Sequence, residues 1–278
     1  MKTIEQQKSL KAYNTFGVEC FCEYFTSVST TEELRAALLN EDFSQRFILG
    51  GGSNLLLTKN LSGLCIHVDL KGIRIVEEND DLVIIEASAG ENWHEFVLWT
   101  LDQGYGGLEN LALIPGNIGT APIQNIGAYG VELKDCFVNC TTLDTITATP
   151  HRFNLEEAVF GYRNSIFKTA LKGKHVITAV QFRLTKKNHI LKTDYGVIQE
   201  ELGSKVSSPK NIAEAVIAIR QRKLPDPKKI GNSGSFFKNP VVTEIQFQNL
   251  LQEHPEMPHY RISDSEVKIP AGWIIDRL

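Results

Sequence analysis

The chain has 278 residues, a net charge of −4 and an isoelectric point near 6.0, so bulk electrostatics give no reason to expect nucleic acid or an anionic membrane surface as a partner. Its 42% hydrophobic and 22% charged residues fit a soluble globular protein long enough for two domains. The five cysteines show no C-x-x-C spacing, and the first residues carry no apolar signal core, which together point to the cytoplasm.

In chain order, Asn14-Thr15-Phe16-Gly17 precedes a strand-like run from Cys20 to Ser27. Thr30 and Glu33 make a capping box for a helix through Leu39. Phe47–Leu49 predicts a short buried strand, the turn Gly50–Asn54 follows, and Leu55–Leu57 predicts a second strand. From Leu64 to Ala89 the alternation predicts three strands. Trp93, Phe96, Val97, Thr100 and Leu101 recur at helical spacing, with Gly104 as the stop. A second β-rich block runs from Phe137 to Leu184, interrupted at 160–165, and Lys186-Lys187-Asn188 marks a domain boundary. Pro209 opens a helix with Ile212, Val216 and Ile219 on one face, ended by Pro225. Thr243 and Gln246 cap a helix bearing Phe247, Leu250 and Leu251.

Two segments fit neither helix nor strand. The run Ile114–Leu133, IPGNIGTAPIQNIGAYGVEL, combines glycines with apolar residues without periodicity. The plain alternative is a surface loop, but its isoleucines read as buried. The run is therefore expected to form a wall of backbone amides against a flat, partly apolar cofactor. Gly50–Asn54 lacks the last glycine of a dinucleotide fingerprint (Leu55 stands there), and no Gly-Lys-Ser/Thr phosphate loop occurs. What remains is a strand–turn–strand whose amides can form an anion-binding nest. One segment suits a diphosphate and the other a planar ring, the signature of a dinucleotide held outside a Rossmann fold. The histidines show no ligand spacing, and no metal site is expected.

Seven motifs then carry a resemblance: NTFG at 14–17, LGGGSNLLL at 49–57, the run at 114–133, GYRNSIFK at 161–168, RQRKLPDP at 220–227, GNSGSFFKNP at 231–240 and IPAGWIID at 269–276. In this order they resemble the UDP-N-acetylenolpyruvoylglucosamine reductase family across nearly the whole chain. The resemblance implies an α+β protein. It would have an N-terminal segment (1–16), an FAD domain of the vanillyl-alcohol-oxidase (PCMH) type at 17–187, a connecting segment at 188–218 and a smaller substrate domain at 219–278. It implies FAD as cofactor, NADPH as hydride donor, and UDP-N-acetylenolpyruvoylglucosamine as the substrate reduced during peptidoglycan synthesis. FAD would be held by Gly50, Gly51, Gly52, Ser53, Asn54, Pro115, Gly116, Gly119, Thr120, Gln124, Asn125 and Gly127. Substrate would be held by Tyr129, Tyr195, Lys223 and Asn239.

The chemistry explains why two further residues are singled out by the same resemblance. Hydride delivered to the terminal enolpyruvyl carbon leaves negative charge shared between the neighbouring carbon and its carboxylate. Arg163 is the expected cation, since a planar fork can bind both carboxylate oxygens, and Ser235 the expected proton donor. Arg220, Arg222, Lys223, Lys228 and Lys229 cluster where a diphosphate-bearing substrate gives them a use. Ser165 is read as structural. Members of the family continue beyond IPAGWIID into a segment that supplies a catalytic glutamate, and no residue of this sequence matches it. A truncated product, an incomplete sequence or a partner-supplied tail would account for that. The alternatives in function are a non-catalytic FAD- or UDP-sugar-binding remnant and another FAD-linked oxidoreductase of the same fold.

Overall fold

The computed structural model describes residues 3–278. Strand β1 (Glu5–Ser9) lies antiparallel to β2 (Phe21–Val28). Helix α1 (Thr31–Leu38) follows, with Thr30 Oγ1 accepting from Glu33 N at 3.1 Å and the Glu33 carboxylate accepting from Ser29 N at 2.7 Å. This is the expected box, shifted by one residue on its return bond. Strands β3 (Arg46–Leu49) and β4 (Leu61–Val68) complete a sheet ordered β1-β2-β4-β3, in which β4 runs parallel to both neighbours. Burial on both faces explains the unbroken apolar run Leu64-Cys65-Ile66 in β4.

Strands β5 (Ile73–Glu78) and β6 (Leu82–Ser88) begin a second sheet. Helix α2 (Trp93–Asp102) is capped by Asn92, whose side chain accepts from Glu95 N at 3.1 Å. It buries the five positions whose spacing predicts it: Trp93, Phe96, Val97, Thr100 and Leu101. A small hairpin, β7 (Gly127–Ala128) with β8 (Val131–Glu132), precedes β9 (Phe137–Asp144), β10 (Pro150–Asn154) and β11 (His175–Thr185). The second sheet is antiparallel throughout and ordered β10-β9-β11-β6-β5. Trp93, Phe96 and Phe182 pack ring against ring where α2 meets this sheet, and they anchor the largest core cluster.

Helices α3 (Gly196–Leu202) and α4 (Pro209–Lys223) pack on the same core through Ile198, Leu202, Ile212, Val216 and Ile219. Ser208 caps α4 at Asn211 N, 3.2 Å away, and Pro209 occupies its first turn as the sequence predicts. All of this lies in one compact unit that ends at Ser233. A second unit, Gly234–Leu278, holds β12 (Val241–Thr243), α5 (Glu244–Glu253), β13 (Tyr260–Arg261), β14 (Glu266–Lys268) and α6 (Ala271–Asp276). Its three-stranded sheet is ordered β12-β14-β13, and its core is Phe247, Met257, Val267 and Ile269.

One expected strand is not there. Leu55–Leu57 joins no ladder. Leu57 is buried in the cluster of Leu10, Phe25 and Leu49 and Leu55 packs against that cluster, which explains their apolar side chains, while Leu56 is exposed. The five cysteines are free thiols and all buried, and burial pushes Cys140 up to about 12.

Candidate active site

The turn after β3 meets the long glycine-rich run side by side. Ser53 Oγ donates to Pro115 O at 3.2 Å, and Asn54 Nδ2 to Gln124 Oε1 at 3.2 Å. A Cβ on Gly51 would lie 2.8 Å from Asn117 Oδ1 and 3.1 Å from Gly116 Cα. The glycine composition is thus needed for two backbones to touch. Among the described residues, the amides of Gly51, Gly52, Ser53 and Asn54 have no protein acceptor, and Gly52 sits at φ +60°. Successive undonated amides around one left-handed residue are the arrangement that an anion-binding nest requires.

The facing run is built differently from a row of open amides. Ile118–Thr120 and Pro122–Gln124 are 3-10 turns, and the amides of residues 117–121 are all satisfied inside the protein. Ile118, Ala121, Pro122, Asn125 and Ile126 are buried, which fits the apolar reading of the stretch. Asn125 is left-handed (φ 45°, ψ 64°), and its side chain donates to Glu132 and Gly161 O and accepts from Lys134 N. Its amide is thus spent on shaping the wall. Ser165, buried, ties the wall from behind by donating to Ile123 O at 2.7 Å.

Behind this nest lies the NTFG motif. Thr15 N donates to Gly52 O at 3.2 Å, and Asn232 N donates to Thr15 O at 3.1 Å. A Cβ on Gly52 would fall 1.9 Å from Tyr13 O, and one on Gly231 2.0 Å from Phe16 O. The motif therefore clasps the nest to residues 231–232. We expect Gly52→Ala to lower stability by about 2–4 kcal/mol, since a methyl at a left-handed position would strike immovable backbone. That corresponds to a melting point lower by roughly 5–10 °C, read by thermal unfolding. An unchanged melting point would refute this account of Gly52.

Arg163 stands at the tip of a two-residue turn closed by reciprocal bonds between Gly161 and Asn164. Its backbone is left-handed at φ 52°, a strained state for arginine that functional sites often hold. The guanidinium donates to Asn125 O at 3.4 Å and to Gly127 O, stands 3.9 Å from Glu132 Oε1, and lies 5.4 Å from the Tyr162 ring centre. A Cβ on Gly127 would lie 2.9 Å from the Val131 carbonyl oxygen and 2.9 Å from Arg163 Nη1, and the backbone contact explains that glycine. Glu132, partner of both Asn125 and Arg163, lies inside the 114–133 run, where nothing in the sequence marks it as their partner.

Tyr129 and Tyr195 meet edge to face at 5.8 Å. Burial raises the Tyr129 phenol, opposed by Arg220, which lies within hydrogen-bonding reach. Arg220 is itself an anchor, donating through Nε to Leu113 O at 3.3 Å, and Arg222 pairs with Glu201. Two members of the expected cation cluster are therefore occupied inside the fold, whereas Lys223 at the end of α4 is exposed. In the second unit, Asn239 Oδ1 accepts from Ala271 N at 2.9 Å and so starts α6. Ser235 is exposed there, after Gly234 at φ +75° and before the exposed pair Phe236 and Phe237. Among the described residues, no group of three or more His, Cys, Asp or Glu is placed to hold a metal ion.

An FAD binding domain family matches residues 23–155. UDP-N-acetylenolpyruvoylglucosamine reductase of Flavobacterium johnsoniae is 52% identical over 277 residues, covering 99% of this chain and 82% of that protein. The enzyme of the same name from Pseudomonas putida is 44% identical, over 98% of this chain and 81% of its own length. The chain belongs to the UDP-N-acetylenolpyruvoylglucosamine reductase family. A crystal structure of a reductase from this family, from Thermus caldophilus, superposes with a TM-score of 0.62 at 24% identity, covering 97% of this chain and 88% of that one. The fold is α+β, an FAD-binding domain of the vanillyl-alcohol-oxidase type with a smaller α+β unit. The residues present fit the cofactor. The open amides of Gly51–Asn54 suit a diphosphate, and the half-buried run from Ile114 to Gly127 suits a ring with an apolar face. No helix among the described residues is long and apolar enough to cross a membrane.

Proposed function

We propose that this chain uses FAD and NADPH to reduce the enolpyruvyl ether of UDP-N-acetylenolpyruvoylglucosamine, giving UDP-N-acetylmuramate for peptidoglycan synthesis, with Arg163 and Ser235 as its catalytic residues. The observation that carries the residue assignment is the seating of Arg163 on the carbonyls of Asn125 and Gly127, at the edge of the flavin wall. When bound, FAD supplies hydride-transfer chemistry between NADPH and the enolpyruvyl carbon. Gly50–Asn54 hold its diphosphate, and Pro115, Gly116, Gly119, Thr120, Gln124, Asn125 and Gly127 shape the wall for its ring and ribityl arm. Arg163 binds the substrate carboxylate and stabilises charge that spreads onto it, and Ser235 donates the proton to the adjacent carbon. Tyr129, Tyr195, Lys223 and Asn239 position the substrate, with Lys223 suited to a phosphate.

In functional terms, residues 17–187 bind flavin, 188–218 connect and carry Tyr195, and 219–278 bind substrate, after an N-terminal segment at 1–16. The working compartment is the cytoplasm, consistent with five free buried thiols. The test is direct. The purified chain should be yellow and should oxidise NADPH only when UDP-N-acetylenolpyruvoylglucosamine is added. Flavin-bearing protein with no substrate-dependent NADPH oxidation would overturn the catalytic reading.

A further inference from the structure

The start of α2 holds the flavin-binding run along its length. Trp93 Nε1 donates to Leu111 O at 2.9 Å, Leu113 N donates to His94 Nδ1 at 3.0 Å, and Trp93 N donates to Gly116 O at 3.0 Å. Asn92 bridges to Asn117, and Ile118 N donates to Glu91 O at 2.9 Å. Only one of these bonds depends on a group that titrates near neutrality. It falls on Leu113, whose φ of +58° is a costly conformation for leucine that needs outside support. That support comes from two sides, His94 at the Leu113 amide and Arg220 of α4 at its carbonyl.

We propose that His94 is a positioning residue which makes FAD retention depend on proton concentration. Its neutral imidazole fixes Leu113, and with it the entry to the run at Ile114–Pro115, in the binding arrangement, and protonation of Nδ1 loosens that entry while the non-titrating bonds of Gly116–Thr120 remain. The inference rests on the flavin reading above.

Nδ1 can accept from Leu113 only when it carries no proton, so the bond exists only in the neutral form. Two charged groups face the ring, Glu95 from α2 and Arg220 from α4, and residues 111–118 bring none. Burial lowers the His94 value below 6.5, with Arg220 acting in the same sense and Glu95 against. The sign follows. The stabilisation is complete above the ordinary histidine value and is lost as pH falls through the lower folded value. A fall in the populated binding state weakens apparent cofactor affinity in proportion.

The experiment follows FAD leaving the full-length holoprotein after dilution, by the rise in flavin fluorescence, at about pH 8 and about pH 5. Wild type should release FAD faster at the lower pH, by up to roughly tenfold, the limit set by one lost buried hydrogen bond. His94→Asn, whose Oδ1 takes the place of Nδ1 and does not titrate, should release slowly at both. His94→Ala should release roughly tenfold faster than wild type already at the higher pH. A wild-type rate independent of pH, a pH dependence that survives in His94→Asn, or an alanine variant matching wild type would each overturn the proposal. If the alanine variant fails to fold, the other two arms still decide. A chain that never binds FAD would instead refute the flavin reading itself.

Discussion

Replacing Arg163 with alanine should slow reduction of the enolpyruvyl substrate about a thousandfold, the scale of removing one preorganised donor aimed at developing charge. Two of its N–H donors are spent on Asn125 O and Gly127 O, which fix the plane of the guanidinium, and the remainder are available to a carboxylate. The nearest carboxylate in the protein, Glu132, is 3.9 Å away, too distant for a strong charge-assisted bond. Lysine should rescue little, because a single ammonium cannot keep both carbonyl anchors and still reach the substrate. The measurement is stopped-flow flavin absorbance with each half-reaction taken alone. Bleaching by NADPH should stay within about threefold of wild type, while return of the colour on adding substrate should carry the full loss. Arg163 also braces the wall, so flavin content is determined on the same sample. An arginine-free enzyme that reduces its substrate at the normal rate would remove Arg163 from the mechanism.

Ser235→Ala should slow the same second half-reaction by about a hundredfold to ten-thousandfold, the range expected for a positioned proton donor. A hydroxyl is a weak acid, and it suits this task because the carbon it protonates is strongly basic. Gly234, left-handed at φ +75°, presents the serine without a neighbouring side chain on one side. Serine lies in the Gly234–Leu278 unit, so its loss leaves the nest and wall of the first unit intact. Flavin content and NADPH bleaching should therefore match wild type. Equal losses in both half-reactions would count against a donor role and in favour of a general disturbance.

Much of the scaffold could be read from the residues, for identifiable reasons. The five buried positions of α2 recur at helical spacing, and α4 and α5 begin where Pro209 and the Thr243–Gln246 box place them. Several elements escaped, among them β1, α3 and α6. Strand β1 is Glu-Gln-Gln-Lys-Ser, with no apolar alternation, and it exists because β2 offers it a partner. Helix α3 begins without a side-chain cap, α6 has one only from Asn239, 32 residues earlier, and neither carries a long apolar face. The site divides the same way. Glycine clusters marked the two segments whose backbones touch, since a side chain at Gly51 would strike Gly116 and Asn117. Of the side chains that brace them, His94 and Arg220 bond to the Leu113 backbone and Glu132 accepts from the Asn125 side chain. Such pairings depend on tertiary geometry and leave no local pattern.

The clasp around NTFG has a consequence for how the protein is made. Thr15 precedes Asn232 by almost the whole first unit, so the bond between them waits until that stretch has been synthesised. At the usual pace of translation the delay is roughly 10–40 s. For that interval the Gly50–Asn54 turn and its Thr15 contact lack their far support. The completed clasp therefore follows the synthesis of residues 231–232, and a nascent chain stalled before Gly231 is the species most exposed to misassembly.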